Sequence, residues 1–229
     1  VCPAVYDAAT QAKLKLAQLA VSDAKSPFHG ADAANIDTKD GKIFLRSAAS
    51  GDPESITDLL TRNGGAPIEA MATSELAKDR DTFTSHSWGA VFAEVAVDAD
   101  THMVHVRRVV ATYDIGTLIN QKTGTNQLVG GIVWGIGPAL PAAALLAPPY
   151  GRTVNENFAD YHVPVNADVG EIDVTCLNIP DYKFNPLGAR GIGEIGITGA
   201  AAAIANAVYN ATGKRVRDLP ITPDKLMRA

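Results

Sequence analysis

The segment Asn185–Ala207, with the sequence NPLGARGIGEIGITGAAAAIANA, joins a glycine-rich loop directly to a helix-forming run. The loop carries a single acidic residue, Glu194, among glycines at positions 188, 191, 193 and 196. Glycine lets the backbone approach a ligand closely because it has no side chain. The alanines of Ala200–Ala203 are strong helix formers. The segment therefore predicts a loop lined by backbone that presents one carboxylate at the start of a helix.

The helix after this loop has recognisable ends and one apolar face. Apolar residues recur at helical spacing and predict burial of that face; they are Ile197, Ala201, Ile204 and Val208. We expect the Thr198 side chain to cap the helix start and Gly213 to end the helix in the left-handed conformation. A helix start offers free N–H groups and the positive end of the helix dipole. Such a place suits an anionic cofactor.

Three interpretations of Glu194 follow from the residues alone. In the first, the loop is a surface turn with Glu194 solvated at its tip. In the second, Gly191-x-Gly193-x-x-Gly196 binds a dinucleotide, as in a NAD-dependent dehydrogenase, but that motif needs a strand directly before it. The preceding residues 184–190, FNPLGAR, do not resemble a strand, and an acid inside the loop would repel phosphates. In the third, Glu194 is a general base held beside a bound cofactor.

The composition is that of a globular protein and argues against nucleic acid as a partner. The 229 residues suffice for one domain with a sizeable core or for two small ones. The chain is 46% hydrophobic, has a net charge of −5 and carries no extended basic patch. Cys2 and Cys176 show no metal-ligand spacing, and we expect both to be free or buried thiols.

Hydrophobic periodicity predicts helices and strands without a regular β-α-β alternation. We expect helices over 4–22 and from Pro53 to about Arg62, and strands over 42–46, 88–97, 103–112 and 172–177. The first helix should bury a face that runs from Val5 to Leu19, and residues 26–40 should be rich in loops. His102 and His105 should lie on the exposed face of a strand. This mixture predicts an α+β fold, with mixed or antiparallel sheets and packed helices.

The uncharged run Leu128–Pro149 is long enough to cross a membrane. Its four prolines argue against that, because each costs ~3 kcal/mol inside a helix. A buried helix from about Thr125 to Gly137 fits better, although its glycines cost ~1 kcal/mol each relative to alanine. Close passage of the backbone past a bulky ligand would offset that cost, and close packing of the helix against its neighbours is the alternative.

Several blocks occur together in an order that resembles one known family. They are His86–Val95, Tyr113–Asn120, Gly130–Gly137, Ala159–Pro164, Gly191–Ala207 and Asp218–Leu226. Together they resemble the C-terminal part of the molybdenum-binding subunit of the xanthine oxidase family, most closely that of bacterial aldehyde oxidoreductases of the periplasmic type. The resemblance implies the C-terminal part of a molybdopterin-binding domain in a larger subunit. Residues 1–80 would form its helical, loop-rich portion and residues 81–229 its cofactor-site portion.

The resemblance also implies roles for individual residues. Glu194 would be the general base, and to accept a proton near neutral pH it should be buried beside Ile192 and Ile195. Trp134 stands where many members carry Gln. The resemblance therefore implies that Trp134 shapes the substrate pocket beside the pterin without touching the metal. No direct protein ligand to molybdenum is implied. The residues implied to contact the cofactor are Thr117, Leu118, Ile119, Asn120, Gln121, Lys122, Thr123, Gln127, Arg190, Gly191, Ile192 and Gly193.

From the residues alone, a plain surface turn with a helix cap is the favoured interpretation of Asn120 and Lys122. The resemblance implies that the cofactor is a molybdenum-pterin in its molybdopterin cytosine dinucleotide form. It implies oxidation of aldehydes, or of related N-heterocycles, to carboxylic acids with water as the oxygen source, and Glu194 would activate the hydroxide on molybdenum. A non-catalytic interaction or assembly domain is the alternative from a different class.

The implied partners are the upstream remainder of the molybdenum subunit, an iron–sulfur subunit and an FAD subunit, with an aldehyde as substrate. The resemblance implies no membrane span and a bacterial protein that is periplasmic or cytoplasmic, and it favours the periplasm. The chain would be a fragment, or one piece of a split subunit, that is inactive alone.

Overall fold

The computed structural model describes residues 1–46, 52–74 and 82–228. The chain divides into two compact units, Val1–Leu76 and Ala77–Ala229. The predicted division between residues 80 and 81 falls outside the described residues. The secondary structure combines helices with antiparallel and mixed sheets, so the predicted α+β class is confirmed.

The first unit packs helices against a three-stranded antiparallel sheet of order β1-β2-β3. Its elements are α1 Cys2–Ser22, a 3-10 turn Ala33–Asn35, β1 Ile36–Lys39, β2 Lys42–Leu45, β3 Glu54–Ser55 and α2 Ile56–Arg62. Asp40 and Gly41 join β1 to β2 in a tight turn, and both have positive φ. The core consists of Leu16, Ala17, Ala20, Phe28, Ile36, Ile43 and Leu59.

Three predictions for this unit need correction. Strand β1 lies inside the segment expected to be loop. Val5 is 61% exposed, because only the last third of α1 meets the core. The second helix begins at Ile56 rather than Pro53, since Glu54 pairs with Ile43 in the sheet and Ser55 caps the helix through the N–H of Asp58.

The second unit carries the predicted hairpin and most of the conspicuous sequence blocks. Its elements are β4 Trp88–Val97, β5 Val104–Asp114, α3 Gln121–Ala139, β6 Leu146–Ala147, β7 Arg152–Thr153, β8 Glu171–Cys176, α4 Ile195–Thr198, α5 Ala200–Thr212 and α6 Pro223–Arg228. The main sheet has the order β4-β5-β8, with β4 antiparallel and β8 parallel to β5. A separate small hairpin joins β6 and β7.

Helices α3 and α5 build the core of this unit together with the sheet. Ile132 and Ile136 of α3 and Ile204 of α5 are completely buried. Residues of the central strand β5, including Val109 and Tyr113, join the same cluster. Alternate residues of β4, such as Phe92, point to the opposite side and stay exposed. No helix in the described parts of the chain is both long and apolar enough to cross a membrane.

The helix predicted after the glycine-rich loop is interrupted. Helix α4 ends at Thr198 and α5 begins after Gly199, so Thr198 does not cap α5; its hydroxyl donates to the Glu194 carbonyl at 3.2 Å instead. A side chain at Gly199 would collide with Val91 of β4, which explains the glycine at the break. The predicted end at Gly213 is confirmed, with φ of 72°.

The two histidine predictions have different outcomes. His105 lies exposed on β5 as expected. His102 lies in the turn before β5, with φ of 60°, and is not a strand residue.

Most glycines of α3 serve close packing rather than an open surface. A Cβ on Gly131 would lie 2.8 Å from the backbone of Gly196, and one on Gly135 would lie 2.5 Å from the Cβ of Ala200. Gly130 differs, because nothing lies within 4 Å of its Cβ position. Close helix packing therefore accounts for Gly131 and Gly135, while open space beside α3 remains at Gly130.

We expect Gly131→Ala to lower the free energy of unfolding by about 1–3 kcal/mol, because the added methyl group overpacks the contact between α3 and α4. Gly130→Ala is the matched control and should stabilise the protein by up to ~1 kcal/mol through helix propensity. Urea unfolding followed by tryptophan fluorescence reports on this unit, since both tryptophans, Trp88 and Trp134, lie in it. Equal stability of the two variants would contradict the proposed contact.

Candidate functional site

The end of β5 holds the glycine-rich loop through backbone hydrogen bonds. The N–H of Arg190 donates to the Ile115 carbonyl at 2.8 Å, and the N–H of Thr117 donates to the Gly188 carbonyl at 2.8 Å. Gly116 and Ala189 form an isolated bridge between these bonds. A Cβ on Gly116 would lie 2.1 Å from the Gly188 carbonyl oxygen, so the approach requires glycine. The segment just before Glu194 is thereby fixed to the central strand of the sheet.

The side chain of Arg190 lies between two carboxylates. Its guanidinium forms ion pairs with Asp114 at the end of β5 and, at 3.3 Å, with Asp181. The three side chains are only 11–19% exposed. Ser85 donates a hydrogen bond to the same Asp181 oxygen. Arg190 therefore ties the strand end, the turn at 181 and the glycine-rich loop together.

These contacts shift the ionisation of both aspartates. The hydrogen bond from Arg190 lowers the pKa of Asp114, and the backbone N–H of Gly116 adds to that effect. The pKa of Asp181 is lowered mainly by the hydrogen bond from Ser85 and further by the charge of Arg190. Both aspartates are therefore held ionised and bound at neutral pH, which suits a structural role rather than proton transfer.

The loop Gly191–Glu194 is held by its carbonyl groups. Ser87 Oγ donates to the Gly191 carbonyl at 2.6 Å, and Gln127 Nε2 of α3 donates to the Gly193 carbonyl at 2.5 Å. The N–H groups of residues 191–194 have no acceptor among the described residues. Cβ positions on Gly191 and Gly193 would meet nothing within 4 Å. The loop therefore presents unpaired donors to open space.

Glu194 lies at the N-terminus of α4, and its side chain is exposed. It lines an open groove of about 600 Å³, together with Ser87, Trp88, Tyr113, Thr198 and Asn206. The expected burial of Glu194 beside Ile192 and Ile195 is not present in this chain, because those two side chains pack into the core and leave the carboxylate outside. Its role as the base stays a prediction.

The segment from Thr117 to Thr123 forms the turn that leads into α3. Asn120 caps α3 by accepting from the Thr123 N–H at 3.0 Å, which is the structural role that its residue type allows. Leu118 donates its N–H to the Asn178 side chain at 2.8 Å. Thr117 Oγ1 is buried and has no hydrogen-bond partner among the described residues. The other residues of the segment, Ile119, Gln121 and Lys122, are exposed.

These residues fit a large anionic cofactor. The N–H groups of the loop and the hydroxyl of Thr117 are hydrogen-bond donors without acceptors. The start of the 19-residue helix α3 is a source of positive potential. A buried polar atom without a partner is costly, so its persistence calls for a ligand or water. Gln127 donates one of its two amide N–H groups to the Gly193 carbonyl.

Trp134 lies on the open side of α3 and is 62% exposed. It follows Gly130 by one helical turn, and Gln127 precedes Gly130 by three residues, so the three share one face. This face borders the loop through the bond between Gln127 and Gly193. The chain thus leaves Trp134 available to a ligand or a covering segment, and its place in a substrate pocket stays a prediction.

Sequence reasoning missed four side chains of this site, namely Ser85, Ser87, Asn178 and Asp181. Ser85 and Ser87 reach partners 96 and 104 positions away, so no local pattern identifies them. The dinucleotide alternative, which the sequence already disfavoured, is excluded. The described residues between Cys176 and Gly191 form no strand, apart from the isolated bridge at Ala189.

A family model described as a molybdopterin cofactor-binding domain matches residues 1–170. The chain therefore belongs to this family and is related to the molybdenum-binding subunits of the xanthine oxidase type. It is 42% identical over 161 residues to the aldehyde oxidoreductase molybdenum-binding subunit PaoC of Escherichia coli K12, covering 69% of this chain and 21% of that protein. It is 32% identical over 181 residues to the aldehyde oxidoreductase of Megalodesulfovibrio gigas, covering 79% of this chain and 19% of that protein.

Solved structures show the same fold inside larger proteins. Quinoline 2-oxidoreductase from Pseudomonas putida superposes with a TM-score of 0.75 at 24% identity and covers 96% of this chain. The aldehyde oxidoreductase from Desulfovibrio desulfuricans superposes with a TM-score of 0.62 at 28% identity and covers 78%. The matches span 28% and 20% of those chains. The chain thus spans less than a third of the length of these relatives.

We expect Asp114→Asn to lower the free energy of unfolding at pH 7 by about 1–3 kcal/mol, because it breaks a largely buried ion pair of Arg190. The wild type should also lose stability as the pH falls below about 4, since carboxyl groups with a lowered pKa must take up protons on unfolding. The variant should show a shallower acid dependence. Urea unfolding at pH values from 7 to 3, followed by tryptophan fluorescence, measures both effects.

Asp173→Asn is the matched control, since Asp173 forms an exposed ion pair with Arg108 at 3.4 Å and such pairs contribute little. An acid dependence of Asp114→Asn identical to that of the wild type would contradict the role given to the ion pair.

Proposed function

We propose that this chain is the C-terminal part of the molybdenum subunit of a molybdenum hydroxylase. The enzyme would oxidise aldehydes, or related N-heterocycles, to carboxylic acids with water as the oxygen source. Family membership and relatives named as aldehyde oxidoreductases support the oxidoreductase class. The observation that carries the proposal is the placement of one free carboxylate, Glu194, directly after a loop of unpaired N–H groups.

The proposed cofactor is a molybdenum-pterin in its cytosine dinucleotide form. When bound, it supplies the metal that transfers oxygen and accepts the electrons of the substrate. The chain's own residues would hold it: Arg190 fixes the start of the loop, the backbone of Gly191–Gly193 would face the cofactor with N–H donors, and Thr117–Thr123 with the start of α3 would receive its phosphates. We expect no direct protein ligand to the metal, and Trp134 would bound the substrate pocket beside it.

Glu194 would take the proton that the reaction releases. A general base must lie within hydrogen-bond reach of the proton that it accepts, and Glu194 directly follows the segment whose N–H groups would hold the cofactor. In this chain the carboxylate is solvated. A bound cofactor and further residues of the molybdenum subunit would cover the groove at Glu194 and exclude water, which strengthens electrostatic effects in the site.

The complete assembly would include the upstream remainder of the molybdenum subunit, together with iron–sulfur and FAD subunits that carry the electrons away. The relatives are bacterial, and we place the protein in the periplasm rather than the cytoplasm. The exposure of Glu194 favours one rival, a non-catalytic interaction domain that keeps the fold without a metal. Elemental analysis of the complete assembly separates the two, since the rival contains no molybdenum.

In the complete enzyme, we expect Glu194→Gln to lower kcat by at least ~10²-fold, the scale of losing a general base. Molybdenum content should stay near that of the wild type, because the amide has the same shape as the carboxylate and the cofactor contacts are backbone groups. Steady-state kinetics and elemental analysis on the same preparation measure the two effects.

Glu156→Gln is the control for the Glu194 variant, since Glu156 is an exposed residue outside the site. A fully loaded Glu194→Gln variant with near-normal turnover would remove Glu194 from the role of base.

We also expect the isolated 229 residues to bind no molybdenum cofactor stably and to show no aldehyde oxidase activity. Ligand sites bury most of the surface of their ligand. The contacts proposed here, at residues 117–127 and 190–194, would cover only one side of the cofactor. Elemental analysis after incubation with a cofactor source tests this expectation. Stoichiometric metal with turnover would overturn the proposed division of the site.

A further inference from the structure

Two side chains outside the proposed chemistry hold the loop that carries Glu194. Ser87 lies directly before strand β4 and bonds to the Gly191 carbonyl, while Gln127 lies in the second turn of α3 and bonds to the Gly193 carbonyl. The two anchors belong to different elements of one core. β4 is paired along its length with β5, and the residue after Gln127, Leu128, is completely buried.

Because the peptide bond is planar, these two contacts also orient the N–H groups of the following residues. In a trans peptide unit, the C=O of one residue and the N–H of the next point in opposite directions. The units Gly191–Ile192 and Gly193–Glu194 are trans. When Ser87 fixes the Gly191 carbonyl, it therefore directs the N–H of Ile192 away from itself. Gln127 does the same for the N–H of Glu194.

Both oriented N–H groups lie free among the described residues. The glycines on either side leave them accessible, because Cβ positions at Gly191 and Gly193 would meet nothing within 4 Å. A peptide unit without such an anchor could rotate and present its carbonyl oxygen instead, since glycine permits many backbone conformations. A carbonyl oxygen would repel an anion where an N–H would bind it.

We propose that Ser87 and Gln127 are positioning residues that hold the N–H groups of Ile192 and Glu194 toward the anionic cofactor. The same two bonds hold the backbone that leads into Glu194, since both anchored carbonyls lie within three residues of it. This inference rests on the proposed function. It gives Gln127 a positioning role through one of its two amide N–H groups, which donates to Gly193.

The test uses the complete enzyme with its partner subunits and compares Ser87→Ala, Gln127→Met and Ser87→Thr with the wild type. We expect the first two variants each to lower kcat about tenfold, the effect of one hydrogen bond that matters in the transition state, while KM changes less than about twofold. Ser87→Thr keeps the hydroxyl and should restore kcat.

The second readout does not depend on activity. Amide hydrogen exchange, followed by mass spectrometry of the peptide that contains Ile192 and Glu194, should show protection in the molybdenum-loaded wild type relative to the metal-free assembly. Ser87→Ala and Gln127→Met should lose that protection even at equal molybdenum content. A merely structural role predicts lower melting temperature without a specific loss of protection at these two amides.

Matched controls come from the first unit. Ser22→Ala removes a hydroxyl that donates to the Leu19 carbonyl at 2.9 Å, and Gln18→Met replaces an exposed glutamine of α1; both should behave as the wild type. If Ser87→Ala and Gln127→Met match these controls in kcat and in amide protection, the inference is overturned. A wild-type assembly without molybdenum overturns the proposed function instead.

Discussion

The ion pairs of Arg190 with Asp114 and Asp181 are the constraint on which the candidate site depends. Separating a guanidinium from the two carboxylates that enclose it is costly, because each charged group would then be buried without an opposite charge beside it. Arg190 stands four residues before Glu194, and its backbone N–H bonds to the strand end at the same time. The start of the glycine-rich loop is therefore fixed by side chain and backbone together, on the central strand of the sheet.

The other end of the loop is fixed by packing rather than by charge. Gly196 of α4 touches Gly131 of α3 so closely that neither position has room for a methyl group. Between Arg190 and Gly196 only five residues remain, and Ser87 and Gln127 bond to the carbonyls of two of them. A segment rich in glycine, which alone would be among the most flexible parts of a chain, is thus held at both ends and in the middle while its N–H groups stay free.

Local signals explain which features were predictable from the sequence. Alternation of apolar residues identified the hairpin of β4 and β5, and Gly213 marked the end of α5, because both depend on neighbouring residues. The predicted cap at Thr198 was wrong, since the helix breaks at Gly199, where a side chain would collide with Val91, a strand residue more than a hundred positions away. The roles of Asp181 and Ser85 were not predictable for the same reason, because their contact with Arg190 or with each other exists only in the folded chain. The position of Glu194 in the loop was predictable, and its exposure agrees with the solvated alternative that the residues alone allowed rather than with the burial that the resemblance implied.

The free N–H groups and the exposed carboxylate follow from the way in which the loop is held. Ser87 and Gln127 bond to the carbonyl oxygens of Gly191 and Gly193, while the N–H groups of residues 191–194 have no acceptor among the described residues. Backbone N–H groups without acceptors favour an anion. An anionic ligand bound there would lie beside the segment that carries Glu194. The two anchoring side chains would therefore influence how such a ligand binds without touching it.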